Sequence, residues 1–337
     1  MKKYVYLIFL LITFVSCNQS NKKTEYVALQ KKASMLFGTL PIQADNPENE
    51  ITEEKVALGQ KLYFDNRLSK DNTQSCNTCH NLKTFGVDNL STSPGNNGGL
   101  GTRNSPTVLN AALHTDQFWD GREPDVEAQA GGPILNPVEM AMPSEEIVVE
   151  RLLEDADYLE MFGLAFPADQ EPISYKNIQK AIGAFERKLI TPSRFDDFLA
   201  GDLESLNEKE LYGLQIFMDN GCTACHSGNA LGGNVHQKFG LFDDYWHHTK
   251  SENIDKGKFE VTNNEGDKYI FKSPSLRNIA KTYPYFHDGS VHDLEDAVAI
   301  MGKIQLNKDF TAEELEAMVA FLNSLTGELP EEIKNAL

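Results

Sequence analysis

Apolar residues recur at helical spacing through much of the chain. In "YKNIQKAIGAFERKL" the positions Ile178, Ile182, Phe185 and Leu189 share one face. "TAEELEAMVAFLNSL" repeats this with Leu315, Met318, Val319 and Leu322 behind a capping box of Thr311 and Glu314. Two further helices are predicted at "ALGQKLYFD" (57–65) and "LYGLQIFMD" (211–219), the second opened by Asn207 and Glu210. Each carries a glycine, Gly59 or Gly213, that lets another helix or a prosthetic group approach closely. Glu171 to Asp202 reads as a helix and connector. The only β signal is "KFEVTNNEGDKYIFK" (258–272), which predicts a hairpin. Ahead of all this, Lys2 and Lys3 precede "YVYLIFLLITF", an apolar run too short to span a bilayer, which reads as a secretory signal.

The pattern repeats. "SPTVLNAALHTDQFWDGREPDVEAQA" (105–130) aligns without a gap on "SPSLRNIAKTYPYFHDGSVHDLEDAV" (273–298), an offset of 168. Shared are Ser-Pro, Asn110 with Asn278, Phe118 with Phe286, and Asp120-Gly121 with Asp288-Gly289. The expected organisation is a signal over 1–17, a tether over 18–45, one domain over 46–200, a second over 201–328 and a tail over 329–337. The fold class is mainly α: two copies of one domain, with long Gly-, Pro- and Asn-rich loops and one small hairpin.

Composition adds chemistry. The 337 residues hold five cysteines: Cys17, Cys76, Cys79, Cys222 and Cys225. The last four all lie in Cys-X-X-Cys-His, as "CNTCH" and "CTACH", leaving nothing to pair as disulfides. Two thiols at this spacing add across the vinyl groups of one haem, and the next residue, His80 or His226, is placed to ligate the iron. Structural zinc would set the two pairs 15 to 20 residues apart, and a redox dithiol would need a βαβ context. Each half therefore carries one c-type haem. Cys17, closing "FVSC", fits lipidation of an exported protein, with ordinary cleavage as the alternative. A net charge of −19, spread along the chain, argues against nucleic acid and suits a basic protein partner.

Two duplicated haem domains, Asn-Ser-Pro-Thr, "FWDGR", "PVEM" and "YFHDG" together resemble the bacterial di-haem cytochrome c peroxidases over roughly residues 35 to 328. The resemblance implies a peroxidatic first haem and an electron-storing second haem. Residue by residue it implies His80 and His226 as proximal ligands and Met301, in "AIMGKI", as distal ligand of the second haem. Loop sequence leaves His236, His247 and His248 as competitors for that place. Met301 is expected at a helix end beside Gly302. A thioether there favours ferrous iron. Glu139 in "NPVEM" resembles the family's acid/base, Gln129 its distal amide, and Trp119 the tryptophan between the haems, with His287 as its counterpart in the second half. The family also binds calcium through an amide and backbone carbonyls, here Asn104, Thr282 and Pro284. Expected partners are hydrogen peroxide and a small exported cytochrome c or copper protein, in a periplasmic, lipid-anchored homodimer.

Two rival readings remain at this level. A related di-haem enzyme oxidises residues of a partner protein, but such proteins carry tyrosine where Met301 stands. A non-catalytic di-haem carrier would need both irons closed by strong ligands. Many family members have a histidine in the loop after His80, which here falls near Asn96 in "SPGNNGG". Asparagine does not replace imidazole on iron. Lys83 is too near His80, and His114 is expected at a surface turn, so the first haem is expected to keep an open sixth position.

Overall fold

The computed structural model describes residues 22–335; the signal segment and Cys17 lie outside the described residues. The architecture rests on α1 (22–37), α2 (Glu53–Tyr63), α3 (Val126–Leu135), α4 (Tyr175–Glu186), α5 (Glu208–Asp219), α6 (Leu294–Leu306) and α7 (Ala312–Ser324), with shorter helical turns between them. Polar caps start these helices where the sequence supplies them. Thr52, Asp125, Ser174 and Asp293 accept from first-turn N–H groups, and the boxes Asn207/Glu210 and Thr311/Glu314 are both formed.

Each half is built on one crossed helix pair. α2 packs on α4 and α5 on α7, and at each crossing a glycine lets the backbones touch. A Cβ on Gly59 would lie 1.9 Å from the Ala181 carbonyl oxygen, and one on Gly213 would lie 1.9 Å from that of Ala317. Phe185 and Phe321 close the two crossings in the same way, each with its Cβ 2.9 Å from the missing one. Ile178, Ile182, Phe185 and Leu189 are fully buried, as their spacing requires. On α7 the buried stripe runs instead through Ala317, Met318, Phe321 and Leu322, leaving Leu315 and Val319 half-buried.

The duplication extends to backbone conformation. Asn110 and Asn278 are left-handed at φ +62° and +61°, and Phe118 and Phe286 at +66° and +70°. Equivalent bridges, Gln117 with Glu123 and Tyr285 with Val291, close the two loops. Where the halves meet, Asn110 and Asn278 both donate to the buried Thr191 hydroxyl, at 2.7 and 2.9 Å. Their amide oxygens accept from Thr191 N–H (3.0 Å) and Gly327 N–H (2.9 Å).

Two expectations change. The segment 258–272 is not a hairpin: Phe259–Thr262 turns helical, Asn263 follows in the left-handed region, and only Ile270–Lys272 (β2) is extended. β2 pairs antiparallel with β1 (His236–Lys238), with Gln237 opposite Phe271, because the long loop before it supplies the free strand edge. The stretch 18–45, expected as a tether, contains α1, whose Ala33 and Phe37 are buried in the core built on α5 and α7, with Phe321 and with Phe195 and Phe198 from the end of the first segment. Conversely Ile333, from the tail, is buried in the core of the first half. The chain ends thus cross over, each completing the other half's core.

Overpacking a backbone crossing costs about 1–3 kcal/mol. Gly213→Ala is therefore expected to lower the stability of the holoprotein to denaturant by about 2–3 kcal/mol. Gly163→Ala, whose Cβ meets nothing within 4 Å, serves as the control. Equal unfolding midpoints for the two variants would contradict the crossing contact.

Candidate haem sites

The first Cys-X-X-Cys-His forms a single helical turn, Cys76–Cys79, started by a capping box of Ser75 and Thr78. The turn brings both thiols to one side and ends with His80 N–H donating to the Cys76 carbonyl. Tyr63 on α2 holds the His80 carbonyl at 2.5 Å. The second signature forms a tighter turn, Cys222–Ala224, with His226 N–H bonded to the Cys222 carbonyl. All four cysteines are free thiols, and burial pushes Cys76 up to about 12 and Cys222 up to about 11. Attachment of a haem to each pair would turn these sulfurs into thioethers.

Both histidines are set for metal binding. Burial lowers the His80 and His226 pKa values, so each ring is held neutral, the form that binds iron. His226 Nδ1 faces the Leu231 carbonyl at 3.3 Å, leaving Nε2 for the metal. The Pro274 carbonyl lies beside it, and its repeat counterpart Pro106 lies beside His80, although His80 Nδ1 completes no hydrogen bond.

A cavity of about 340 Å³ opens from the second signature. Cys222, Cys225 and His226 form one wall, Met301 another, and Phe217, Leu294 and Val298 line it with apolar surface. Paired thiols, a neutral imidazole and a thioether around one apolar space fit a covalently held haem. Met301 lies in the middle of α6, not at its end, because α6 continues past Gly302 to Leu306. The three competing histidines are engaged elsewhere: His236 Nε2 with Asp116 at 2.7 Å, His248 Nε2 with Asp243 at 2.8 Å, and His247 near the same Asp243 at 3.6 Å. None of them lines the cavity.

In the first half the helix equivalent to α6 is cut short. At the repeat offset Met301 corresponds to Pro133 inside α3, and α3 ends at Leu135 because Pro137 turns Asn136 out of the helix and offers no N–H to the Pro133 carbonyl. The freed carbonyls of Pro133 and Ile134 accept from Met140 and Met142 N–H, folding residues 136–142 back into a turn that carries Glu139. Burial raises the Glu139 pKa against the opposing charge of Arg122 and a hydrogen bond from Asn136. Its charge acts on the Cys79 thiol, adding to the burial that raises that thiol's pKa. Gln129 lies half-buried on α3, with no hydrogen bond to its side chain.

The loop after His80 packs on this turn. Asn96 N–H donates to the Glu139 carbonyl at 2.6 Å, and the Gly95 backbone abuts that of Val138 so closely that a Cβ would lie 1.7 Å from its oxygen. The Asn96 side chain is tied to Asp71, donating to its carboxylate at 3.0 Å and accepting from its N–H at 3.2 Å.

Trp119 and His287, equivalent in the repeat, meet between the halves. Their rings lie 6.4 Å apart, edge to face, both lining the cavity. Trp119 Nε1 donates to the Asn104 carbonyl at 2.9 Å, and Asn104 N–H donates to the His287 carbonyl at 2.7 Å. Asn104, Thr282 and Pro284 also line the cavity, and the Asn104 amide nitrogen is committed to the Leu90 carbonyl, leaving its amide oxygen unbonded. Among the described residues no cluster of three or more His, Cys, Asp or Glu could hold a metal ion.

Several neighbours of this region escaped sequence reasoning. His287 stacks on Phe271 at 4.2 Å and meets Tyr245 at 5.1 Å, joining residues that are distant in the chain. Glu186 is buried at the end of α4; matching "AFE" with "AFL" of α7 was the signal that could have found it. His114 is not at a surface turn: its Nε2 is inaccessible and its Nδ1 lies 3.4 Å from the buried Lys272, because the second half closes over it at Gly233.

The chain was compared with known proteins. A family model described as di-haem cytochrome c peroxidase matches residues 53–204, and a cytochrome c model matches residues 211–326. The cytochrome c551 peroxidase of Pseudomonas aeruginosa is 46% identical over 305 residues, covering 90% of this chain and 88% of that one. The methylamine utilization protein MauG of Methylorubrum extorquens is 37% identical, covering 73% and 68%. Among solved structures, a MauG-like protein associated with microbial copper homeostasis superimposes with a TM-score of 0.77 at 31% identity, covering 86% of this chain and 94% of that one.

Burial lowers the His114 pKa to about 3, with Lys272 adding repulsion. Protonation therefore favours the unfolded chain once the pH drops below about 6.5. Stability should fall on acidification, with His114 accounting for roughly 2 kcal/mol of the loss by pH 5. Denaturant titrations of His114→Gln at pH 7 and pH 5 check this; an unchanged acid-side loss contradicts it.

Proposed function

The chain belongs to the di-haem cytochrome c peroxidases, oxidoreductases with two haem c groups that act on hydrogen peroxide, and from that premise we propose how its residues divide the work. The reaction is reduction of one peroxide to two waters, consuming two protons and two electrons delivered singly by a small exported cytochrome c or copper protein. The haems supply the iron redox chemistry, the first meeting peroxide and the second holding an electron in reserve.

The Glu139 turn carries this reading. O–O cleavage needs a group that takes a proton from one peroxide oxygen and returns it to the other. Glu139 is one carboxylate on a backbone pinned from both sides, with a raised pKa and a charge that acts on the Cys79 thiol. Gln129 orients the peroxide by hydrogen bonding, His80 and His226 hold the irons, and Trp119 lies on the electron path. Met301 would help hold the second haem together with His226, supported by its place in the same cavity. It also argues against oxidation of partner-protein residues, the reading that the MauG relatives keep open.

Calcium binds at the Asn104 amide oxygen and the Thr282 and Pro284 carbonyls, bracing the loops around Trp119. The protein works as a periplasmic homodimer tethered by lipid at Cys17, its net charge of −19 drawing a basic donor. Among the described residues no helix is long and apolar enough to cross a membrane.

Glu139→Gln should keep both haems and reduce peroxide turnover by a factor on the order of a hundred or more, measured as peroxide-dependent oxidation of a reduced cytochrome. In the unmodified enzyme kcat/KM should fall on acidification through the raised Glu139 pKa, because only the carboxylate accepts the first proton. Undiminished turnover in the variant removes Glu139 from the mechanism.

Asn96 is tied to Asp71, and nothing else in its loop provides a strong iron ligand. The fully oxidised enzyme is therefore expected to show a high-spin first haem and to turn over without a lag. A low-spin oxidised enzyme that is silent until half-reduced contradicts the open site.

A further inference from the structure

Glu186 is 4% exposed, and its carboxyl accepts no hydrogen bond from any described residue, although its backbone carbonyl takes one from Leu189 N–H at 3.0 Å. The helix repeat shows where it points. α4 and α7 occupy equivalent places: Ala181 and Phe185 meet Gly59 as Ala317 and Phe321 meet Gly213, and the Leu189 carbonyl accepts from Asn110 as that of Leu325 does from Asn278. Glu186 thus stands where the second half has Leu322, and Leu322 lines the haem cavity. The first half has put a carboxyl where its twin has a hydrocarbon.

The surroundings give this carboxyl no partner. Glu127 of α3 is the nearest like charge, already held by Arg187 through two 2.7 Å bonds. Among the described residues Arg187 is the one cation acting on Glu186. From α2 comes the Tyr63 hydroxyl, neutral because burial raises its pKa well above the usual value, and beside it lies Cys76, a thioether in the holoprotein. The helix Glu145–Leu153 and the turn Ala111–Leu113, also packed on α4, set no charge acting on it. Burial, with Glu127, pushes the Glu186 pKa up to about 8, so both of its forms are accessible near neutrality.

We propose that Glu186 is the proton acceptor linked to reduction of the first haem. When one electron arrives from the donor protein, one proton from solvent binds a Glu186 carboxylate oxygen and forms its O–H bond; no other bond changes, and the pocket's net charge is preserved. Removing a positive charge from the adjacent iron raises the carboxyl's proton affinity. A buried site favours such compensation over bearing an unpaired charge. The second half has Leu322 at this place, and Lys272 and His287 line its own cavity, so changing Glu186 should leave the second haem's response to pH as it is. The inference rests on haem attachment at Cys76 and Cys79, but not on Glu139 or on peroxide chemistry.

Spectroelectrochemical titration of the holoenzyme without peroxide, across the neutral pH range, tests it. The first haem's reduction equilibrium should become up to tenfold less favourable per pH unit, equivalent to about 59 mV for one electron. Glu186→Gln and Glu186→Leu should each flatten that slope, and neither should change the pH response of the second haem. In the unmodified protein, a reduced-minus-oxidised infrared difference spectrum should gain a protonated carboxyl C=O band that Glu186→Gln lacks. A wild-type slope retained in Glu186→Gln, a first haem insensitive to pH, or a carboxyl band surviving the substitution would each overturn the assignment. Such a failure leaves the role of Glu139 untouched, since that is read only from turnover.

Discussion

A single buried hydroxyl, Thr191 Oγ1, takes hydrogen bonds from Asn110 of one half and Asn278 of the other. The two asparagines sit in matching left-handed conformations, and their amide oxygens anchor Thr191 and Gly327, the segments that leave α4 and α7. Taking away the Thr191 hydroxyl while the halves stay together would leave two buried amide donors unpaired, at about 1–3 kcal/mol each. The relative placement of two haem sites is therefore set by a small polar hub at a local twofold. Everything that spans the halves inherits that placement: the Trp119 and His287 pair, the cavity they share, and the Arg103 guanidinium bridging Asp120 and Asp255.

The crossed chain ends reinforce the hub. α1 supplies Phe37 to the second core, and the tail supplies Ile333 to the first. A large haem takes up much of the space a hydrophobic core would fill in so small a domain, and each borrowed element returns apolar burial that its host lacks.

On this duplicated frame a few substitutions make the two sites chemically different. Where α6 runs on and presents Met301 to the cavity, α3 stops before Asn136-Pro137, and the freed carbonyls hold the chain in the turn of Glu139. A Pro137 beyond the helix thus separates a helix carrying a thioether from a loop carrying an acid. Where α7 has Leu322, α4 has Glu186; where one half has Trp119, the other has His287. Each change acts locally because the glycine crossings hold both frames in the same geometry.

The sequence by itself determined the two Cys-X-X-Cys-His signatures and the repeat: paired thiols at Cys76 and Cys79 and at Cys222 and Cys225, the 168-residue offset, the capped helices and their buried faces. These are local, since thiol spacing and helical period are properties of a few adjacent residues. Only tertiary structure decided that 270–272 pairs with 236–238, that 22–37 belongs to the far half's core, that His114 is buried, and that Met301 lies mid-helix. Each depends on which surface another part of the chain covers. A short strand takes whichever edge is free, and a histidine's environment is set by what closes over it. Glu186 shows the limit most clearly: its letter sits in an ordinary amphipathic helix, and its burial at the helix's end becomes visible only once α4 is superposed on α7.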